Sequence, residues 1–89
     1  MAWTVKYSDS ARKQLHKLDR QSALRILDYM DERILANSNP RAHGKILTGP
    51  TLGSYWRYRV GSYRMICQIQ DEVLCVLVLE IGDRKEIYR

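Results

Sequence analysis

Trp56-Arg57-Tyr58-Arg59-Val60-Gly61-Ser62-Tyr63-Arg64-Met65-Ile66 reads as two strands joined by a two-residue turn. Gly61-Ser62 fits a type II′ hairpin loop, whose first position needs the positive φ that glycine adopts without strain. That turn sets Val60 opposite Tyr63, Arg59 opposite Arg64 and Arg57 opposite Ile66. Side chains alternate between the faces of a strand. One face then carries Tyr55, Arg57, Arg59, Arg64 and Gln68, and the other Trp56, Tyr58, Val60, Tyr63, Met65, Cys67 and Ile69. The second face is the one a helical layer should cover. On the first, Arg59 and Arg64 stand directly opposite, an arrangement that destabilises a sheet, and arginine cannot deprotonate to relieve it. Either the guanidiniums splay into water or pair with the chain's own acids, or the cluster exists to bind an anion. Forked donors suit phosphate oxygens.

Outward from this hairpin, residues 73–81 are almost all apolar, as in a central strand covered on both faces. A two-residue turn at Asp71-Glu72 would place Leu79 opposite Arg64 and Ile81 opposite Ser62. Upstream, Asn37 to Pro50 is loop-rich and interrupted by Lys45-Ile46-Leu47. Earlier still, Ala23, Ile26, Leu27, Met30, Ile34 and Leu35 recur at spacings of three and four, which predicts a helix over about 20–36. A first helix, capped by Ser8 or Asp9, buries Ala11, Leu15 and Leu18 and turns back near Leu18-Asp19. Trp3-Thr4-Val5-Lys6-Tyr7 alternates as an opening strand. The expected fold is α+β, in the order β-α-α-β-β-β, with a twisted antiparallel sheet and an N-terminal helical hairpin on one face.

With 89 residues, one domain spanning 1–89 is expected, since domains usually run to ~100–200. A core this small gains from a partner protein. Fifteen Lys and Arg against ten Asp and Glu give a net charge of +5, which favours a polyanionic or acidic partner. Cys67 and Cys75 fit neither a disulfide framework nor metal-ligand spacing and read as buried free thiols, as in a reducing cytosol. No apolar run approaches the ~20 residues of a membrane span, and no signal-peptide pattern opens the chain. The expected location is cytoplasmic, with no membrane partner. The acids are scattered, so no metal site and no cofactor is expected.

The opening strand, Ala11-Arg12-Lys13-Gln14-Leu15-His16-Lys17-Leu18, Lys45-Ile46-Leu47-Thr48-Gly49, the 56–66 hairpin, Gly82-Asp83-Arg84 and Glu86-Ile87-Tyr88-Arg89, taken in order and spacing, resemble the RelE/ParE superfamily of toxins from toxin–antitoxin systems. The resemblance covers the whole chain. It implies a RelE-like, microbial-RNase-like fold and two partners, a cognate antitoxin and the ribosome with its messenger RNA. By resemblance Arg64 matches the phosphate-gripping arginine, Arg57 a basic position on the preceding strand, Arg84 the basic residue after the last strand, and Tyr88 the C-terminal catalytic tyrosine. Tyr55 stands where relatives carry a second basic residue, and Tyr88 follows Arg84 at shorter spacing. The expected catalytic set is Arg57, Arg64, Arg84 and Tyr88. The expected RNA-contacting set is Lys45, Tyr55, Arg57, Arg59, Arg64 and Lys85.

Metal-free RNA cleavage uses the 2′-hydroxyl as nucleophile and needs a base, cations for the charge growing on phosphate, and a proton for the leaving 5′-oxygen. The arginines supply charge. Tyr88, with its pKa lowered by guanidiniums, and Asp83 are rival bases, and Arg84 either donates to the leaving oxygen or neutralises it. His16 and His43 read as surface residues, so no His–His pair is apparent. The resemblance thus implies a ribosome-dependent endoribonuclease acting in the A site, with positioning by the ribosome replacing strong acid–base groups. The alternatives are a ParE-like toxin directed at DNA gyrase and an inert, purely antitoxin-binding relative.

Overall fold

The computed structural model describes residues 3–35, 39–47 and 55–83. Strand β1 (Thr4–Tyr7) leads into helix α1 (Asp9–Lys17) and helix α2 (Arg20–Met30), which continues as a wider π turn over Asp31–Leu35. After a 3-10 turn at Pro40–Ala42 come β2 (Lys45–Ile46), β3 (Trp56–Val60), β4 (Tyr63–Gln70), a second 3-10 turn at Asp71–Val73, and β5 (Cys75–Asp83). The five strands form one sheet in the order β1-β5-β4-β3-β2. The β-α-α-β-β-β plan stands. The sheet is mixed rather than antiparallel, because β1 runs parallel to β5, with Thr4 beside Cys75 and Tyr7 beside Val78. Alternation within a five-residue strand says which way its side chains face and nothing about its neighbour.

Each helix begins where a side-chain oxygen meets an otherwise unpaired amide. Ser8 Oγ accepts from the Ala11 amide at 3.0 Å, and Asp19 Oδ2 from the Ser22 amide at 3.0 Å. Hydrogen bonding from Ser22, its side chain first and then its amide, holds the Asp19 carboxyl below its ordinary range. Ala11, Ile26, Met30 and Ile34 pack with Tyr58, Met65, Cys67, Val76, Val78 and Ile81 to form the core, all essentially fully buried. The helices thus cover the sheet face expected from the hairpin.

The β3–β4 register is the expected one, with Val60 opposite Tyr63, Arg59 opposite Arg64 and Arg57 opposite Ile66. Gly61 has φ +58° while Ser62 keeps a negative φ, as a type II′ turn requires. The β4–β5 register is not the expected one. The connection spans four residues, 71–74, with Leu74 left-handed at φ +50°, so Gln70 pairs with Cys75. A bulge then slips the pairing once more, from Cys67 opposite Val78 to Ile66 opposite Glu80. As a result Gly82, not Leu79, faces Arg64, and Asp83 faces Tyr63 in place of the Ile81–Ser62 match. The bulge has a packing purpose. Val76 and Val78 face the helices, and without the extra residue Ile81 would point away from them. With it, Ile81 returns to the core opposite Met65, 1% exposed.

Helix α1 tends the part of β5 that β1 is too short to reach. Ser8 Oγ donates to the Leu79 carbonyl at 2.8 Å, in the bulge itself. Gln14 Oε1 accepts from the Ile81 amide at 2.6 Å, and its Nε2 donates to Glu80 at 2.8 Å. The end of β5, which carries Gly82 and Asp83, pairs with β4 on one side and is held by α1 on the side that β1 does not reach.

Buried phenols make the fold sensitive to alkali. Burial, helped by the Asp31 charge, pushes Tyr7 from 10.0 up to about 12, and burial also raises Tyr58, whose hydroxyl donates to the Pro40 carbonyl at 2.6 Å. A raised pKa means the folded state keeps the proton longer than the unfolded chain. Its contribution is complete below pH ~10 and drains away between ~10 and ~12. Urea midpoints should therefore fall across that interval, and Tyr7→Phe should make the fall shallower.

Candidate nucleic-acid interface

The expected basic face forms around the first hairpin. Arg57 and Arg59 share one side of β3, and Arg64 stands across from Arg59 on β4. Lys45 of β2 lies directly opposite Arg57. Four cationic residues from three adjacent strands thus occupy neighbouring register positions. Their settings differ. Lys45 and Arg59 are exposed and Arg57 is half-buried, whereas Arg64 is only 7% exposed, set between Arg59 on one side and Gly82 on the other. A guanidinium fixed by packing loses less rotamer freedom on gripping an anion than one waving in solvent.

Tyr55 is half-buried, and its carbonyl accepts from the Leu47 amide at 3.0 Å, which continues the β2–β3 pairing. Arg84, Lys85 and Tyr88 lie outside the described residues. Their segment follows Asp83, which sits across from Tyr63 at the Gly61–Ser62 end of the basic face. His16 is exposed, whereas His43 is half-buried and its carbonyl accepts from Trp56 Nε1 at 2.7 Å. Cys67 and Cys75 are free and buried, and burial pushes the Cys67 thiol up, so Cys67 does not resemble a reactive thiolate. Among the described residues no three His, Cys, Asp or Glu side chains are grouped as metal ligands, and no helix is long and apolar enough to cross a membrane.

One acid of the far turn has its own partner. Asp71 receives Arg41 in a two-pronged contact at 2.8 and 2.9 Å, and this guanidinium holds the carboxyl below its ordinary range. The pair ties the 3-10 turn at Pro40–Ala42 to the β4–β5 connection. Tyr58 anchors the same turn through its bond to Pro40, and the chain then enters β2 through Gly44 (φ +79°). A Cβ at Gly44 would fall 2.2 Å from the Arg57 carbonyl oxygen and 2.7 Å from Trp56 Nε1. Only glycine lets Lys45 come alongside Arg57.

Two contributors were not anticipated from the sequence. Arg25 of α2 reaches the hairpin tip, where its Nη2 lies 3.5 Å from the position a Gly61 Cβ would take. Tyr29, one helical turn later, lines a hollow of about 190 Å³ with Gly44, Lys45, Arg57 and Arg59. Arg25 is exposed and Tyr29 half-buried at the margin of the core, and nothing local marks which strand they approach.

The family model for ParE toxins of the type II toxin–antitoxin system parDE matches residues 5–88. Toxin RelG of Mycobacterium tuberculosis is 30% identical over 89 residues, covering 100% of this chain and 99% of the relative. The toxin–antitoxin complex RelBE2 of the same organism contains a chain that superposes with a TM-score of 0.83 at 27% identity, covering 94% of this chain and 93% of that one. A chain of the archaeal RelE–RelB complex from Pyrococcus horikoshii matches at TM-score 0.73 and 25% identity, over 94% and 97% of the two chains.

Proposed function

Because the chain belongs to the RelE/ParE toxin family of type II toxin–antitoxin systems, we propose that it is a cytoplasmic toxin that cleaves messenger RNA in the ribosomal A site and is neutralised by a cognate antitoxin. The observation that carries this reading is the register that sets Arg59 opposite Arg64 and Lys45 opposite Arg57. Like charges placed so closely work against the sheet, and a polyanion spanning them turns that repulsion into binding. Residues 1–89 act as one toxin domain. The antitoxin is supported by two relatives seen in toxin–antitoxin complexes.

In the proposed reaction the 2′-oxygen attacks the adjacent phosphorus, the bond to the 5′-oxygen breaks, and a 2′,3′-cyclic phosphate and a 5′-hydroxyl result. Arg64 and Arg57 stabilise the charge that grows on the non-bridging oxygens. Arg59, Lys45, Tyr55 and Lys85 bind the neighbouring backbone. Tyr88 takes the 2′-hydroxyl proton, and Arg84 neutralises the leaving 5′-oxygen, which takes its own proton from water. Without a strong acid–base pair, much of the barrier lowering comes from the ribosome holding the phosphate in line.

A second reading, a ParE-like toxin that inhibits DNA gyrase, is favoured by the family model that matches. The two separate in parallel assays. The purified chain is added to translating ribosomes, with messenger ends mapped, and to a gyrase supercoiling reaction. Codon-phased cuts carrying cyclic phosphate ends, with supercoiling intact, support the first reading. Inhibited supercoiling with intact messenger supports the second.

A further inference from the structure

The outer edge of β3 has two walls, and they are chemically matched. β2 pairs with β3 from Tyr55 to Arg57, and among the described residues no strand occupies that side beyond Arg57. On the sheet side of this open edge stand Lys45, Arg57 and Arg59. On the helical side stand Arg25, Tyr29 and Arg33, spaced four apart. Contacts place the first two. Arg25 lies over Gly61 at the hairpin tip. The Tyr29 ring meets Tyr58 at 6.1 Å between centroids, tilted by 60°, and lines the hollow shared with Gly44, Lys45, Arg57 and Arg59. Arg33 follows in the π turn after α2; burial raises the Tyr29 phenol, and the Arg33 charge opposes that rise. Three acids flank them in sequence, Asp28, Asp31 and Glu32, and the Asp31 charge acts on Tyr7 of β1.

We infer that this edge is a track for single-stranded RNA, in which the cations of both walls hold successive phosphates and one unstacked base seats against Tyr29. The inference rests on the RNA-directed reading above and extends that site from the sheet onto α2. Cations interleaved with an aromatic ring are the recurring chemistry of single-strand binding. The hollow, at about 190 Å³, falls below the ~300 Å³ where drug-sized pockets begin, a scale suited to one flat base. A duplex would not use it, because its bases stay stacked inside the helix. Tyr29 is held by Tyr58, so stacking costs little ordering.

The test uses the full-length chain and a fluorescent single-stranded oligoribonucleotide made non-cleavable by 2′-O-methylation. Binding is followed by anisotropy at about 0.1 M salt. Tyr29→Leu should weaken binding on the order of tenfold, and Tyr29→Phe, which keeps the ring, should bind like the parent. Arg25→Gln and Arg33→Gln should each weaken binding several-fold and flatten the log–log salt slope by about 0.7. If these variants bind as the parent does while Arg59→Gln is weakened, the track is overturned and the sheet-face reading survives. If Arg57→Gln and Arg59→Gln are also without effect, both fall. If RNA binding is untouched and the cognate antitoxin is released instead, the edge is a protein surface and the track is overturned.

Discussion

Replacing Arg64 by alanine is expected to slow messenger cleavage on translating ribosomes by on the order of 10²–10³-fold, the usual cost of removing one preorganised donor to a charged transition state. Arg64 is the basic residue of this face that packing holds most firmly, at 7% exposure, between Arg59 and Gly82. Position and charge contribute separately, and Arg64→Lys tells them apart. It keeps the charge but loses the planar fork, so a rate close to that of Arg64→Ala means two-pronged phosphate contact matters more than field strength. A buried side chain also supports the fold. Single-turnover rates should therefore accompany urea midpoints, with the rate loss exceeding what the unfolded fraction explains. Arg59→Ala, at an exposed position, should weaken RNA binding with a much smaller effect on the chemical step.

The second large effect concerns stability. Gly44→Ala should destabilise the protein by at least about 2 kcal/mol and lower Tm by roughly 10 °C. The new methyl would meet backbone, at 2.2 Å from the Arg57 carbonyl oxygen, and Gly44 already occupies φ +79°, where alanine is strained. Neither conflict is relieved by a rotamer change. The chain must move away from β3, breaking the bond from Trp56 Nε1 to the His43 carbonyl and drawing Lys45 off Arg57. Gly61→Ala makes the comparison, since its φ is also positive but its nearest neighbours are the flexible Arg25 guanidinium atoms at 3.5 Å and beyond. That change should cost less than Gly44→Ala, since it adds positive-φ strain without a backbone clash. Equal losses at the two positions would show that strain alone, not the close approach to β3, makes Gly44 necessary.

The two hairpins show what a sequence can and cannot reveal. The β3–β4 register was legible because Gly61 is the residue a two-residue II′ turn needs, and one such turn fixes every pair that follows. The β4–β5 register was not. Its left-handed residue is Leu74, which carries none of the usual glycine or asparagine signal, and the bulge at Leu79 ends a run in which residues 73–79 are all apolar. The core face of α2 followed from the spacing of Ile26, Met30 and Ile34, all fully buried. The parallel placement of β1 depended on which sheet edge remained open, a long-range matter. For the candidate site, Arg57, Arg59 and Arg64 could be grouped from one turn. Arg25 and Tyr29 could not, because their approach to β3 depends on how the helical hairpin docks. Gln14 was equally hidden, since its role on β5 exists only because β1 ends at Tyr7 and leaves the Ile81 amide to be met.

The account stands on phosphate contacts made by a group of cations, and their number is measurable. Affinity of the full-length chain for a non-cleavable single-stranded RNA, followed from about 50 to 300 mM salt, should fall with a log–log slope of about −2 or steeper, as engagement of three or more phosphates requires. The triple substitution of Arg57, Arg59 and Arg64 by glutamine should flatten that slope by about 2. A flat response in the unmodified protein, or a slope that the triple substitution leaves unchanged, would contradict the account.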